Sequence, residues 1–228
     1  MKGRVFTEEE RHVLEEVIRH RRTELGPNFL SQDIPENILS RLIWAALKAP
    51  SVGFSQPWEF VIIRDASVKA KIQACFETEN AKARKIFKDK PSYNQFKLQG
   101  ITTTPVNIAI FYKPSETPIL GQTSMEKAGP YSVCLAVQNL WLMARAENIG
   151  LCWVSILDEE KVKQILNAPP ENELVAYLCL GYVKEFTERP QLEMADWETL
   201  KSKDSLIHYD SYECQTLNTV KDNTIKTA

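Results

Sequence analysis

Histidine is scarce in this chain. Only His12, His20 and His208 occur among 228 residues, and none has a second histidine or a cysteine at metal-ligand spacing. A zinc or iron centre is therefore not expected. The same shortage disfavours a serine–histidine hydrolase, and no G-x-S-x-G elbow is present. Phosphate-cradling glycine motifs are missing as well, both the P-loop and the G-x-G-x-x-G turn. The five cysteines, at 75, 134, 152, 179 and 214, are odd in number and form no C-x-x-C pair. At least three lie in apolar runs, so they read as buried free thiols. No stretch approaches about 18 consecutive apolar residues, which argues against a membrane-spanning helix. The opening residues 1–11 are charged and lack the apolar core of a secretory signal, which points to a cytoplasmic protein. A formal net charge of -2 gives no electrostatic reason to expect nucleic acid or an anionic membrane as partner.

What is present is ordinary for a globular chain, with 43% hydrophobic and 25% charged residues. One domain over residues 1–202 is expected, followed by a polar arm or tail over 203–228. Thr7 and Glu10 form the pattern of a capping box, and Val13, Leu14, Val17 and Ile18 follow at helical spacing to about Arg21. The basic cluster Arg19-His20-Arg21-Arg22 then complements a helix dipole or forms an anion site; both readings stand. Pro35 suits the start of a second helix that ends at Pro50. Residues 60–63 and 106–112 read as strands, with a lysine- and arginine-rich helix over 66–90 between them. A helix from Pro130 to Asn148 is apolar nearly all round and is expected to close on Gly150 as its C′ residue. Such a helix belongs in a core or between subunits. Residues 151–156 and 174–182 read as further strands, separated by a short helix capped by Asp158. Strands parted by helices of unequal length, without a phosphate-binding glycine turn, fit an α+β sandwich better than a doubly wound sheet.

The most informative segment runs from Ala49 to Val61, APSVGFSQPWEFV. Pro50 ends the helix before it, because a residue ahead of proline is pushed out of helical space. Ser51, Ser55 and Gln56 then offer donors and acceptors on a loop that Gly53 leaves free to bend around a ligand. A loop of this chemistry between two rigid elements is suited to holding a polar cofactor.

Several segments together resemble the flavin-binding nitroreductase family, and within it the BluB branch of 5,6-dimethylbenzimidazole synthases, or flavin destructases. They are Arg21-Arg22, Pro50 to Trp58, Lys97-Leu98-x-Gly100-Ile101 with Pro105-Val106-Asn107, Trp141 to Glu147, Trp153-Val154-Ser155-Ile156 and Leu174 to Tyr182. The resemblance spans about residues 12 to 200. It implies a central, mostly antiparallel sheet flanked by helices, in a homodimer whose two FMN sites are built by both chains. It further implies that Arg21 and Arg22 pair with the FMN phosphate and ribityl oxygens, as guanidinium forks match phosphate well. Ser51 and Gln56 would bond the flavin or its ribityl chain, residues 93–100, including Leu98, would cover the ring system, and Ser155 would sit at its reactive edge. The activity implied is oxygen-dependent fragmentation of reduced FMN to 5,6-dimethylbenzimidazole and erythrose 4-phosphate, with a separate flavin reductase supplying the reduced FMN. In that branch a serine at the Ser155 position and an aspartate after the paired arginines assist proton transfer. Here the aspartate is absent. Counted forward from Arg22 its position holds Thr23, and counted back from Phe29 it holds Glu24. Rival readings are a conventional FMN-dependent NAD(P)H oxidoreductase and a flavin-binding protein without catalysis. Ser155 also has a plainer reading, as a hydroxyl satisfying backbone at a strand end.

Overall fold

The computed structural model describes residues 3–90, 92–93 and 100–212. Helix α1 (Glu8–His20) opens with the expected capping box: the Glu10 amide donates to Thr7 Oγ1 at 3.3 Å, and the Thr7 amide to Glu10 Oε2 at 3.0 Å. Helix α2 (Glu36–Leu47) follows Pro35, and its register buries Leu39, Leu42, Ala45 and Ala46. Strand β1 (Trp58–Ile63) leads into α3 (Ala66–Ile86), capped by Asp65. Strand β2 spans Val106–Tyr112, the bounds its apolar run anticipates. Helix α4 (Ala128–Ala146), strand β3 (Gly150–Trp153), helix α5 (Glu159–Leu166) and strand β4 (Glu173–Gly181) complete the layers.

The four strands stand in the order β1-β2-β4-β3, and every pairing is antiparallel. Period-2 alternation splits the core in two. Val106, Ile108 and Ile110 of β2, with Ala176, Leu178 and Leu180 of β4, face α2 and α4. Ala109 and Phe111, with Tyr177 and Cys179, face Ile72, Cys75 and Phe76 of α3 and Val162 of α5. Helices thus cover both faces, and the α+β sandwich with an antiparallel sheet is the architecture found. Asn107 sits fully buried in this core with its amide satisfied: Nδ2 donates to Tyr177 Oη and Ile101 O, both at 2.9 Å.

Some bounds differ from the sequence expectation: β3 ends at Trp153 where a strand to 156 is expected, and α3 at Ile86 where a helix to 90 is expected. Helix α4 closes on Asn148, at φ 56°, with the Ile149 amide donating to Ala144 O at 2.8 Å. Gly150 instead begins β3. A Cβ there would lie 2.3 Å from Val183 Cγ1 and 3.0 Å from Glu24 Cγ, so close approach, not helix capping, requires the glycine. Helix α1 buries none of its residues: Val13, Leu14 and Ile18 are more than half exposed. The chain divides into two compact units, residues 1–191 and 192–228. The second, described as far as Tyr212, holds a short 3-10 turn at Lys203–Ser205.

Candidate functional site

The basic corner is built where α1 ends against the C-terminal half of α4. Trp141 and Arg145 lie one turn apart on α4 and so share a face. Trp141 Nε1 donates to Arg22 O at 3.2 Å, and Arg145 Nε to His20 O at 3.0 Å, which fixes the path of the chain leaving α1. The two adjacent arginines are used differently. Arg22 Nη1 donates to Arg19 O at 2.7 Å and Arg21 O at 2.8 Å, and Nη2 donates to Glu188 O. Most of its fork is thus spent on backbone carbonyls at the end of α1, although Nε is buried without a partner. Arg21 lies over the Trp141 ring, 4.9 Å from its centroid, and has no hydrogen-bond or ion-pair partner among the described residues. Arg145 stacks on Phe186 at 4.0 Å.

None of Arg21, Arg22 and Arg145 has a carboxylate within 4.0 Å among the described residues. Burial, with the neighbouring Arg22 second, lowers the pKa of Arg21. Arg145 is lowered too, chiefly by burial, against the raising effect of Glu24. Arg145 Nη1 also donates to Asn148 Oδ1 at 2.9 Å, so among the three half-buried guanidinium groups it is Arg21 that keeps its donors unspent among the described residues. Sequence reading named Arg21 and Arg22 but not Arg145, whose spacing from Trp141 is the signal that finds it.

Glu24 is placed otherwise than expected. It is completely buried, its amide donates to Leu151 O of β3 at 3.0 Å, and its Oε2 accepts from Asn28 Nδ2 at 2.6 Å. Its Oε1 is buried without a partner. Burial raises its pKa, opposed by the Asn28 bond and by Arg145 and Arg22. In the single chain its carboxyl group is thus turned inward beside β3, whereas Ser155 at the end of that strand is exposed. Thr23, one residue before Glu24, is exposed.

The loop after α2 lies at the other end of α4. The Val52 amide donates to Ser132 Oγ at 3.0 Å, and Ser132 Oγ donates to Ala128 O at 2.7 Å. From Ser132 to Trp141 and Arg145 is about 14–20 Å of helix at roughly 1.5 Å per residue. The loop is wired internally: the Gln56 amide donates to Ser51 Oγ at 3.0 Å, and Ser55 Oγ to Val52 O at 2.7 Å. Ser51 still has its hydroxyl proton to donate. Gly53, Phe54 and Gln56 all take left-handed φ, at 54°, 56° and 50°. A Cβ on Gly53 would lie 2.7 Å from Ile119 Cγ2 and 2.8 Å from Leu120 O, so only glycine fits there.

Ser155 follows β3, two residues past its end, and is exposed. The preceding Val154 amide continues the ladder to Tyr177 O at 2.8 Å. One chain therefore groups Arg21, Arg22, Thr23 and Glu24 beside β3, the strand that leads to Ser155, and groups Ser51 with Gln56 at the far end of α4. Leu98 and most of the 93–100 segment lie outside the described residues. Tyr93 and Gly100, at its two ends, are buried.

Comparison with known proteins gives a consistent picture. The model of the Nitroreductase family matches residues 18–182. A 5,6-dimethylbenzimidazole synthase of Rhodospirillum rubrum is 38% identical over 176 residues, 75% of this chain and 83% of that protein. One from Rhodobacter capsulatus is 37% identical over 198 residues, 85% and 94% of the two chains. Among solved structures, an iodotyrosine deiodinase bound to FMN and 3-iodo-L-tyrosine superposes with a TM-score of 0.68 at 20% identity, over 87% of this chain and 100% of that one. A BluB-like flavoprotein of Clostridium difficile gives 0.63 at 19%, over 87% and 99%.

Proposed function

Because the chain belongs to the nitroreductase family, we propose that it binds FMN between two copies of itself and, given reduced FMN and O2, fragments it to 5,6-dimethylbenzimidazole and erythrose 4-phosphate. The observation that carries the binding half is the basic corner: half-buried Arg21, stacked on Trp141, has no hydrogen-bond or ion-pair partner among the described residues, and Arg145 and Arg22 stand beside it without a carboxylate within 4.0 Å. A phosphate dianion fits that donor set, in charge and in the planar geometry of guanidinium. Identity of 37–38% over most of the chain to two 5,6-dimethylbenzimidazole synthases supports the reaction.

The dimer is supported by two features of the single chain. Ser51 and Gln56 stand at the opposite end of α4 from the arginines, so a second copy running the other way brings each loop to its partner's arginines. Apolar side chains on α1 and α4, including Leu14, Ile18, Tyr131 and Leu135, lie about half exposed until such a partner covers them. In that assembly Arg21 holds the phosphate, Ser51 and Gln56 bond the ribityl chain or the ring edge, and Ser155 presents its hydroxyl to the ring. Bound reduced flavin supplies the oxygen chemistry. The chain's own contribution is to exclude water and to hold a proton donor at Ser155 Oγ. A separate flavin reductase supplies the reduced FMN, and the site of action is the cytoplasm.

The competing reading is an NAD(P)H oxidoreductase that recycles its flavin. Two assays on one preparation separate them. With NADPH and a nitroaromatic we expect no sustained turnover. With reduced FMN in air we expect the benzimidazole by chromatography, and its loss in Ser155→Ala with flavin binding retained. Steady nitroaromatic reduction together with FMN recovered whole would move the assignment to the oxidoreductase.

A further inference from the structure

Three buried polar atoms without a hydrogen-bond partner among the described residues belong to the arginine corner: Arg22 Nε, Glu24 Oε1 and Thr187 Oγ1. Their residues are tied together by the segment that follows β4. Arg22 Nη2 donates to Glu188 O, Asn28 Nδ2 donates to Glu24 Oε2 and to Glu185 O at 2.8 Å, and Arg145 stacks on Phe186. Residues 185–188 therefore close over Glu24 as a strap, with Thr187 between its fixed points. Arg22 Nε can only donate, a carboxylate Oε1 can only accept, and the Thr187 hydroxyl can do either. One enclosed water with three such neighbours is the ordinary way in which buried polar groups are satisfied.

Few charges face Glu24. Arg22 comes from the chain after α1 and Arg145 from α4, and both favour the carboxylate. Cys152 on β3 is a thiol pushed up to about 12, by burial first and Glu24 second, and so is neutral. Asn28, Phe29 and Val183, which also pack here, carry no charge, and Lys184, Glu185 and Glu188 of the strap are exposed. Burial thus favours the neutral acid, while the Asn28 bond and two guanidinium groups favour the anion. A dianion arriving at those guanidinium groups repels the carboxylate they support.

We propose that Glu24, with a water enclosed between its Oε1, Arg22 Nε and Thr187 Oγ1, couples anion binding to proton uptake: the carboxylate balances the arginines while no anion is bound, and Oε1 takes up one solvent proton when a phosphate dianion occupies the corner. This rests on the reading of that corner as the FMN phosphate site. Two negative charges arrive with the ligand and one is lost at Glu24. Because the bound state carries the extra proton, FMN affinity falls as pH rises through the interval in which Glu24 ionises.

Calorimetric titration of the full chain with oxidised FMN and with riboflavin, in buffers of different ionisation heat between pH 5 and 8, counts the protons. The ligand phosphate, with a second pKa of about 6, sheds protons alike in wild type and Glu24→Gln, so the difference between their counts isolates Glu24. Wild type is expected to take up more protons than Glu24→Gln with FMN, and no more with riboflavin. Glu24→Gln, neutral in both states, binds FMN about threefold tighter than wild type at pH 8, the scale of one screened charge, and equally at pH 5. Thr187→Val removes the hydroxyl that supports the anion through the water, so it too binds FMN tighter at pH 8, and Thr187→Ser restores wild-type behaviour. A merely structural role for Thr187 weakens FMN binding instead, and that result overturns the proposal. Equal proton counts in wild type and Glu24→Gln across the range also overturn it, while FMN bound by both leaves the phosphate reading standing. Wild-type protein that binds no FMN brings down that reading, and this proposal with it.

Discussion

Two neighbouring arginines of identical chemistry are set apart by what their forks already hold. Arg22 closes the end of α1 on Arg19 O, Arg21 O and Glu188 O, whereas Arg21 rests on Trp141 with its donors unspent among the described residues. Arg22→Ala should therefore lower stability by about 1–2 kcal/mol, as loss of hydrogen bonds from a charged donor does. Arg21→Ala should change stability by less than about 1 kcal/mol, the worth of its stacking contact. It should weaken FMN binding at least about tenfold while leaving riboflavin, which has no phosphate, nearly unaffected. Chemical denaturation and ligand titration on the two variants check this, and equal effects in both would contradict the division of roles. Glu24 makes a prediction in pH. Its folded pKa is raised by burial above the unfolded value, so the folded state binds more protons in the interval between the two. Stability contributed at this site is then greatest below the unfolded pKa and falls as pH rises through the folded one. Glu24→Gln, which keeps an acceptor for Asn28, should match wild type near pH 4 and melt progressively higher than it toward neutrality. Melting curves that run parallel across that range would show that Glu24 titrates alike in both states.

Elements are where the sequence was most legible, because capping chemistry and periodicity act within a few residues. The Thr7–Glu10 box, the Asp158 cap and the bounds of β2 could all be read directly. What escaped depended on contacts between distant segments. Gly150 looked like the end of α4, yet it is demanded by Val183 and Glu24 pressing on β3, and the left-handed turn fell to Asn148. Nothing local announced that Glu24 would turn inward or that Phe54 would be held at positive φ. The order β1-β2-β4-β3 is likewise a property of long-range pairing. Helix α1 carries the prediction at this scale. Its apolar positions keep helical spacing but bury nothing in one chain, and the proposed two-copy assembly gives them a partner. Ile18→Asp should raise the dimer dissociation constant at least about tenfold, as truncated or charged anchors do at interface centres. It should reduce FMN retention with it, measured by sedimentation and flavin absorbance on the same samples. A variant that stays dimeric would remove α1 from the interface.

At the scale of the whole molecule, the proposed reading makes the sandwich a mount for two half-sites at opposite ends of α4. Neither half is sufficient: the arginines lack a partner for the ring system, and the loop lacks a charge for the phosphate. Joining them across two copies encloses a flavin within protein, where water is excluded and fixed donors replace it. No helix among the described residues is long and apolar enough to cross a membrane. In the proposed reaction the flavin is consumed rather than recycled, which makes mass balance the decisive quantity. Purified protein mixed with chemically reduced FMN should yield one 5,6-dimethylbenzimidazole for each FMN lost in air, and neither loss nor product under argon. Full recovery of oxidised FMN in air, with no benzimidazole, would contradict the account.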